Sequence, residues 1–177
     1  MALQINRKNT IIRRACLAAA VIVFAVLQNT PGWFPRIAGV RALILIPLVT
    51  AIAMTEREKA GILYGLLAGA LWDTVARGNS FNAIFLVTAG FVCGTLINTV
   101  MRNNFVTHLL LTGTALVIYN LGYWLWHYVF AGLTGSFSAL ITYYLPCTVY
   151  TAVFSPLIYF AVYWLGRKFN EEIKANQ

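Results

Sequence analysis

The stretch that decides the fold is residues 61–94, GILYGLLAGALWDTVARGNSFNAIFLVTAGFVCG. Side chains four positions apart form a ridge along one face of a helix. The first such ridge consists of Gly61, Gly65, Gly69, Asp73 and Arg77. A second ridge starts near the end of the stretch and continues beyond it, with Gly90, Gly94, Asn98 and Arg102. Glycines on a ridge leave a groove in which another backbone can lie close. The pattern predicts that two adjacent helices pack through these small faces, or that a partner's helix occupies one of the grooves.

The composition is that of an integral membrane protein. Apolar residues make up 60% of the 177 residues and charged residues only 10%, against about 25% in ordinary soluble domains. The net charge is +8, but the basic residues fall in small groups between apolar runs, whereas nucleic-acid binders cluster them on one exposed face. We therefore exclude a soluble domain, a disordered tail and a disulfide scaffold, and expect no nucleic-acid partner.

Six apolar runs are predicted to be transmembrane helices, since a span needs about 20 mostly apolar residues. They lie at residues 11–27, 37–54, 60–76, 81–101, 105–130 and 139–165. The first run follows basic residues, as a signal peptide does, but no A-x-A cleavage site follows Leu27, which favours an uncleaved anchor. The sequence thus predicts an all-α integral membrane protein in which residues 1–177 form a single transmembrane domain.

Basic residues predict the orientation of these spans. With six spans both termini share one side, which would hold ten basic residues: Arg7, Lys8, Arg13, Arg14, Arg57, Lys59, Arg102, Arg167, Lys168 and Lys174. The other side would hold three, Arg36, Arg41 and Arg77. By the positive-inside rule both termini are expected in the cytoplasm. The basic side is also expected to attract anionic membrane lipids.

Asp73 is the only carboxylate inside a predicted span. Arg77 lies four residues further on, so the two side chains share a helix face. Three interpretations remain open, namely an ion pair that ends the span, a specific contact with a neighbouring helix or partner subunit, and a role in proton transfer or catalysis. In the fifth span, Asn120 is predicted to hydrogen-bond across helices.

Signatures of catalysis and of metal binding are missing from the sequence. There is no G-x-S-x-G, no P-loop, no second intramembrane acid and no H-E-x-x-H around His108 or His127. The cysteines Cys16, Cys93 and Cys147 lie far apart in apolar stretches, where they are expected to be small buried hydrophobes. We expect no enzyme activity, no catalytic residue, no cofactor and no metal.

Residues 61–94 resemble the signature region of the rod shape-determining protein MreD family, in which a Gly-rich helix ends in G-x-x-x-D before a glycine-containing turn. The matching residues are Gly65, Gly69, Asp73, Gly78 and Asn82. Upstream, LQNTPGWFPRIAGVRALILIPLVTAIAM resembles the first outer loop and second span of the family. Downstream, NLGYWLWHYVF and YYLPCTVYTAVFSPLIYF are similar to the last spans of clostridial-type members.

The resemblance implies a non-enzymatic multi-pass subunit of the elongation complex in the bacterial cytoplasmic membrane, which supports cell shape and lateral peptidoglycan synthesis. Its implied partner is an MreC-like protein, with MreB, RodA and a class B penicillin-binding protein more distantly. The residues expected in helix packing or partner binding are Gly61, Gly65, Gly69, Asp73, Arg77, Gly78, Asn82, Gly90 and Gly94.

The MreD family is also similar in fold to the S components of ECF vitamin transporters, which supplies an alternative function. A substrate-binding S component would need a polar pocket beneath the outer loops. The sequence offers only a sparse set of polar groups near that side, Arg36, Arg77, Asn79, Asn82, Asn120 and His127.

Overall fold

A computed structural model describes residues 2–30, 32, 39–76, 81–132 and 136–175. The described residues confirm the all-α prediction. They form α1 (Ala2–Asn29), α2 (Leu45–Val75), α3 (Asn82–Thr99), α4 (Phe105–Trp124), α5 (Ser136–Ala139) and α6 (Leu145–Ala175). A π-helical segment, Leu125–Val129, continues α4, and a second one, Leu140–Tyr144, joins α5 to α6 without a break.

Four helices in the described part of the chain are long and apolar enough to cross a membrane. They are Thr10–Asn29, Asn82–Thr99, Phe105–Val129 and Phe137–Arg167, which correspond to the first, fourth, fifth and sixth predicted spans. Large apolar side chains on these helices point away from the protein, among them Ile84 (73% exposed), Val153 (69%) and Leu157 (69%). Such faces suit hydrocarbon rather than water, so the fold is consistent with a membrane protein.

The predicted second and third spans fall on the two arms of α2, residues 45–56 and 58–75. The Leu45 N–H donates to Gln28 Oε1 (3.0 Å), and Asn29 Nδ2 donates to the Leu71 carbonyl (3.5 Å). Both ends of α2 therefore lie at the C-terminal end of α1, and the chain reverses direction at Arg57. Neither arm belongs to the four described helices that are long and apolar enough to span a membrane.

The predicted start of the second span, at residue 37, is wrong within the described residues, because α2 begins only at Leu45. The preceding backbone is bound by side chains of other helices instead of by its own helical turns. Leu43 N–H donates to Thr151 Oγ1 (2.9 Å), and Cys147 Sγ donates to the Arg41 carbonyl (3.3 Å). Residues 37 and 38 lie outside the described residues.

The first arm of α2 forms the centre of the bundle. Every residue from 45 to 54 is buried, as expected for a helix that is apolar on all sides. Leu17 and Val21 of α1, Leu116 of α4 and Ile158 of α6 belong to the same buried cluster. The second arm adds Tyr64 and Ala68 to the same cluster and packs its glycines against α3.

The bundle has two ends, which we name after residues of α2. At the Arg57 end, Arg13 forms an ion pair with Glu56 (2.8 Å), and Asn103 Nδ2 donates to the Met54 carbonyl (3.0 Å). At the Asp73 end lie the C-termini of α1 and α2 and the N-terminus of α3. The candidate functional residues gather at the Asp73 end.

The reversal at Arg57 yields a stability prediction. Arg57 has φ 71° and ψ −176°, a region that is essentially restricted to glycine. Replacing Arg57 by glycine should therefore raise the free energy of unfolding by on the order of 1 kcal/mol. Thermal unfolding in detergent should show a higher Tm.

Lys59 is the matched control, since it is also exposed and basic but lies within the second arm. Lys59→Gly should lower the Tm, because glycine costs about 1 kcal/mol inside a helix. A fall in Tm for both variants would contradict the strained conformation at Arg57.

Candidate functional site

The glycine ridges of α2 and α3 face each other across the closest helix contact in the site. A Cβ added at Gly61 would overlap the Gly90 carbonyl, and one added at Gly90 would overlap the Gly61 carbonyl. A Cβ at Gly65 would lie 2.5 Å from the Leu86 carbonyl oxygen. Real Cβ atoms do not approach closer than 3.0 Å, so the two backbones can be this near only where side chains are missing.

The contact continues toward both ends of the helix pair. At the Asp73 end Gly69 lies against the Cα of Ala83, and at the Arg57 end a Cβ on Gly94 would lie 2.5 Å from the Cα of Glu58. The pairing is antiparallel and runs along the whole second arm. Because α3 fills the groove, a partner's helix could use it only by displacing α3.

Asp73 connects the end of α2 to the start of α3. Its Oδ2 accepts the backbone N–H of Ala83 at 3.0 Å, one of the first-turn N–H groups of α3 that have no partner within their own helix. A carboxylate also complements the positive end of the helix dipole at this position. Oδ1 is buried and has no hydrogen-bond partner among the described residues.

Asn82, the first residue of α3, binds α4. Its side chain is 1% exposed, and Oδ1 accepts the hydroxyls of Tyr119 (2.6 Å) and Tyr123 (3.0 Å). Tyr119 also stacks on Trp72 of α2, with ring centroids 5.4 Å apart. Asn82 therefore ties the start of α3 to α4, and Tyr119 in turn contacts α2. We name this set of contacts, from Glu58–Gly94 to Asp73–Ala83 and Asn82, the α2–α3 joint.

Two predicted site residues, Arg77 and Gly78, lie outside the described residues, and with them the predicted Asp73–Arg77 pair. The joint contains the other seven: Gly61, Gly65, Gly69, Asp73, Asn82, Gly90 and Gly94. A role of any of them in binding a partner remains a prediction. The expected interhelical bond of Asn120 is confirmed, since its Nδ2 donates to Thr148 Oγ1 in α6 at 2.8 Å.

A polar cleft of about 340 Å³ opens beside the joint at the Asp73 end. Its walls come from the end of α1, the segment before α2, the ends of α2 and α4, the start of α3, and the second π-helical segment with the start of α6. The described residues that line it are Gln28, Asn29, Arg41, Ala42, Leu43, Trp72, Ala76, Asn82, Tyr119, Asn120, Tyr123, Tyr143, Tyr144 and Cys147.

Sequence reasoning found Asn82 and Asn120 in this cleft and missed Gln28, Arg41 and the tyrosines. Gln28 directly follows the first predicted span, and Arg41 counted only as an outer charge. A glutamine at the end of an apolar helix was the available signal, because its amide needs partners when it is buried.

A second polar cluster lies in the interior of the bundle. His108 Nε2 is 2.9 Å from Ser155 Oγ, and Thr112 hydrogen-bonds Thr50 at 2.8 Å. All four residues are 0% exposed, and the His108 ring stacks on Tyr159. A buried network of this kind links α2, α4 and α6 through satisfied polar groups, which explains its place in the core without a catalytic role.

Comparison with known proteins identifies no relative of this chain. No family model, no curated protein and no solved structure matches it. The described residues also contain no group of three or more His, Cys, Asp or Glu side chains that could hold a metal ion.

The glycine contact predicts the effect of the smallest possible side chain. Gly65→Ala should lower the free energy of unfolding by about 1–3 kcal/mol, because its Cβ overlaps the backbone of α3. Gly113→Ala in α4 is the matched control, since its Cβ would meet nothing within 4 Å. Alanine is the better helix former, so the control should unfold at the same or a higher Tm. Equal losses in both variants would contradict the contact.

The Asp73 contact predicts a graded series. Asp73→Asn keeps an acceptor for the Ala83 N–H and loses the charge, whereas Asp73→Ala loses both. Stability should fall from wild type to the asparagine and then to the alanine variant, with a total loss of about 1 kcal/mol. Chemical or thermal unfolding in detergent would measure this loss of stability. An alanine variant as stable as wild type would show that the bond between Asp73 and the Ala83 N–H contributes nothing.

Proposed function

We propose that the chain is a non-enzymatic membrane subunit of the bacterial rod-shape complex, which supports cell shape and lateral peptidoglycan synthesis through protein contacts. The proposal rests on the resemblance of residues 61–94 to the MreD family. One observation supports it: Gly65, Gly69, Asp73 and Asn82, the described residues of the resemblance, all bind other parts of the chain in the α2–α3 joint. Their engagement within the fold fits an architectural role better than a catalytic one.

The proposal includes a six-segment arrangement in the bacterial cytoplasmic membrane, with both termini in the cytoplasm and the Asp73 end outside. The two antiparallel arms of α2 support it, because together with the four longer helices they give six passages between the two ends. The basic residues Arg13, Arg57 and Lys59 near the Arg57 end agree with a cytoplasmic position for that end.

In this proposal, a partner contacts the outward apolar faces of the bundle, since the glycine groove is filled by α3. An MreC-like protein is the first expected partner, and MreB, RodA and a class B penicillin-binding protein follow through it. Exposed side chains such as Ile84 on α3 and Leu157 on α6 supply apolar area for such contacts.

Co-purification tests this proposal. The tagged wild-type chain, extracted in a mild detergent, should retain the MreC-like protein of its own cell, and depletion of the chain should make rod-shaped cells round. Gly65→Leu should lose both a single elution peak and the partner, because the joint cannot close around the larger side chain. Gly113→Leu should keep both. A well-folded wild-type chain that retains no shape protein, in cells that stay rod-shaped on depletion, would refute the function.

The polar cleft favours a second candidate function, that of the substrate-binding S component of an ECF-type vitamin transporter. Pockets of about 300–1,000 Å³ with a few convergent polar groups commonly hold small ligands, and the cleft falls in this range. Mass spectrometry of small molecules released from the purified chain tests it. A stoichiometric vitamin, together with co-purification of an energising module, would support the transporter function over the shape function.

A further inference from the structure

The polar cleft holds a hydrogen-bond donor that the chain does not use. Gln28 is 7% exposed, and its Oε1 accepts the Leu45 N–H at 3.0 Å, which identifies the other amide atom as the NH₂ group. That Nε2 is buried and has no partner among the described residues. A buried donor left unpaired is unfavourable, and an acceptor on a bound molecule would relieve the cost.

Several acceptors of the cleft wall are already occupied. Asn82 Oδ1 accepts two tyrosine hydroxyls, from Tyr119 and Tyr123, and the Arg41 carbonyl accepts from Cys147. The Gln28 carbonyl is bound to Leu45. Beside these bonds the cleft offers an unpaired donor at Gln28 and a cation at Arg41.

Arg41 is the one charged residue among the described residues that line the cleft. Its guanidinium forms no ion pair within the described part of the chain. Its backbone is held in place by Cys147, and the neighbouring Leu43 by Thr151, so the charge projects from an anchored segment. Asp73 does not line the cleft, and its Oδ2 is bound to the Ala83 N–H.

We propose that the cleft binds an anionic oxygen group, a carboxylate or a phosphate, with Arg41 supplying the charge and Gln28 Nε2 a hydrogen bond. A charged acceptor paired with such donors makes the stronger kind of hydrogen bond. The rings of Trp72 and Tyr119, stacked on each other, offer apolar surface to the body of the same molecule. The group belongs either to a small soluble ligand or to the headgroup of an anionic lipid.

The anion site does not depend on the proposed shape function, because a shape-complex subunit and a transporter subunit could both carry it.

Three variants test the donor set. Gln28→Glu keeps an oxygen for the Leu45 N–H and replaces the free NH₂ by a second carboxylate oxygen, so the fold keeps its bond while an anion is repelled. Arg41→Gln removes the charge from a partly exposed side chain. Arg102→Gln is the matched control, because Arg102 is exposed and lies between α3 and α4 at the Arg57 end.

The lipid source is tested in nanodiscs of phosphatidylcholine mixed with phosphatidylglycerol. Native mass spectrometry should find one tightly held phosphatidylglycerol, which stays bound at collision energies that strip the lipids attracted to the basic Arg57 end. The wild type and Arg102→Gln should retain this lipid, and the other two variants should retain about tenfold less of it. The soluble source is tested in phosphatidylcholine nanodiscs, by titrating inorganic phosphate and succinate and following the Tm, which rises when a ligand binds the folded state. Dependence on Gln28 and Arg41 in either arm supports the proposal and identifies the source.

Equal behaviour of wild type, Gln28→Glu and Arg41→Gln in both arms would overturn the proposal, as would a neutral molecule released from the cleft. Should Gln28→Glu fail to fold, Arg41→Gln decides the outcome by itself. If a variant loses the anion and keeps the MreC-like partner, the anion site is independent of the shape function. If the wild type binds the anion and retains no shape protein, the anion site stands and the shape function fails.

Discussion

The structure depends on a contact between two backbones, where α3 lies directly on the second arm of α2. In lipid, helices gain little from hydrophobic burial, and close approach of small residues supplies the attraction instead. Gly61 faces Gly90 with no side chain between them, and Gly65 faces Leu86. Because glycines are required at several successive turns of the two helices, the helices can pair in one register only. That register brings Asp73 opposite the first turn of α3.

The first arm of α2 could not stand alone in a membrane. Its residues 45–56 make a helix of about 18 Å, against a hydrocarbon core of about 30 Å. The rest of the passage would then be made by the non-helical backbone before Leu45. Non-helical backbone within the hydrocarbon core is tolerated when protein surrounds it. Here Gln28, Cys147 and Thr151 bind the segment that leads into the arm, while α1, α4 and α6 cover the arm itself. The non-helical segment before α2 thus also forms part of the cleft wall, through Arg41, Ala42 and Leu43.

Sequence spacing was enough to place the glycine face, because a ridge every four residues depends only on helix geometry. It could not place the start of α2, since the run from Ala42 to Leu48 is apolar throughout. The helix start is decided by Thr151 and Cys147, which are 108 and 106 residues away from their partners in the sequence. The four-residue spacing likewise contains no sign of the positive φ at Arg57, which arises from the reversal. Gln28 and Arg41 become neighbours of α4 and α6 only through that folded geometry.

Asn82 belongs to the joint and to the cleft at once, and this links the two. It begins α3, next to the Ala83 N–H that Asp73 binds, and its oxygen orients Tyr119 and Tyr123 in the cleft wall. The glycine register fixes α3, α3 fixes Asn82, and Asn82 fixes the two tyrosines. A wall held in this way is preorganised, so a bound molecule loses little free energy in ordering it. Among the described residues that resemble a family signature, Asn82 therefore lines the cleft, whereas Gly65, Gly69 and Asp73 shape it from behind by fixing α3.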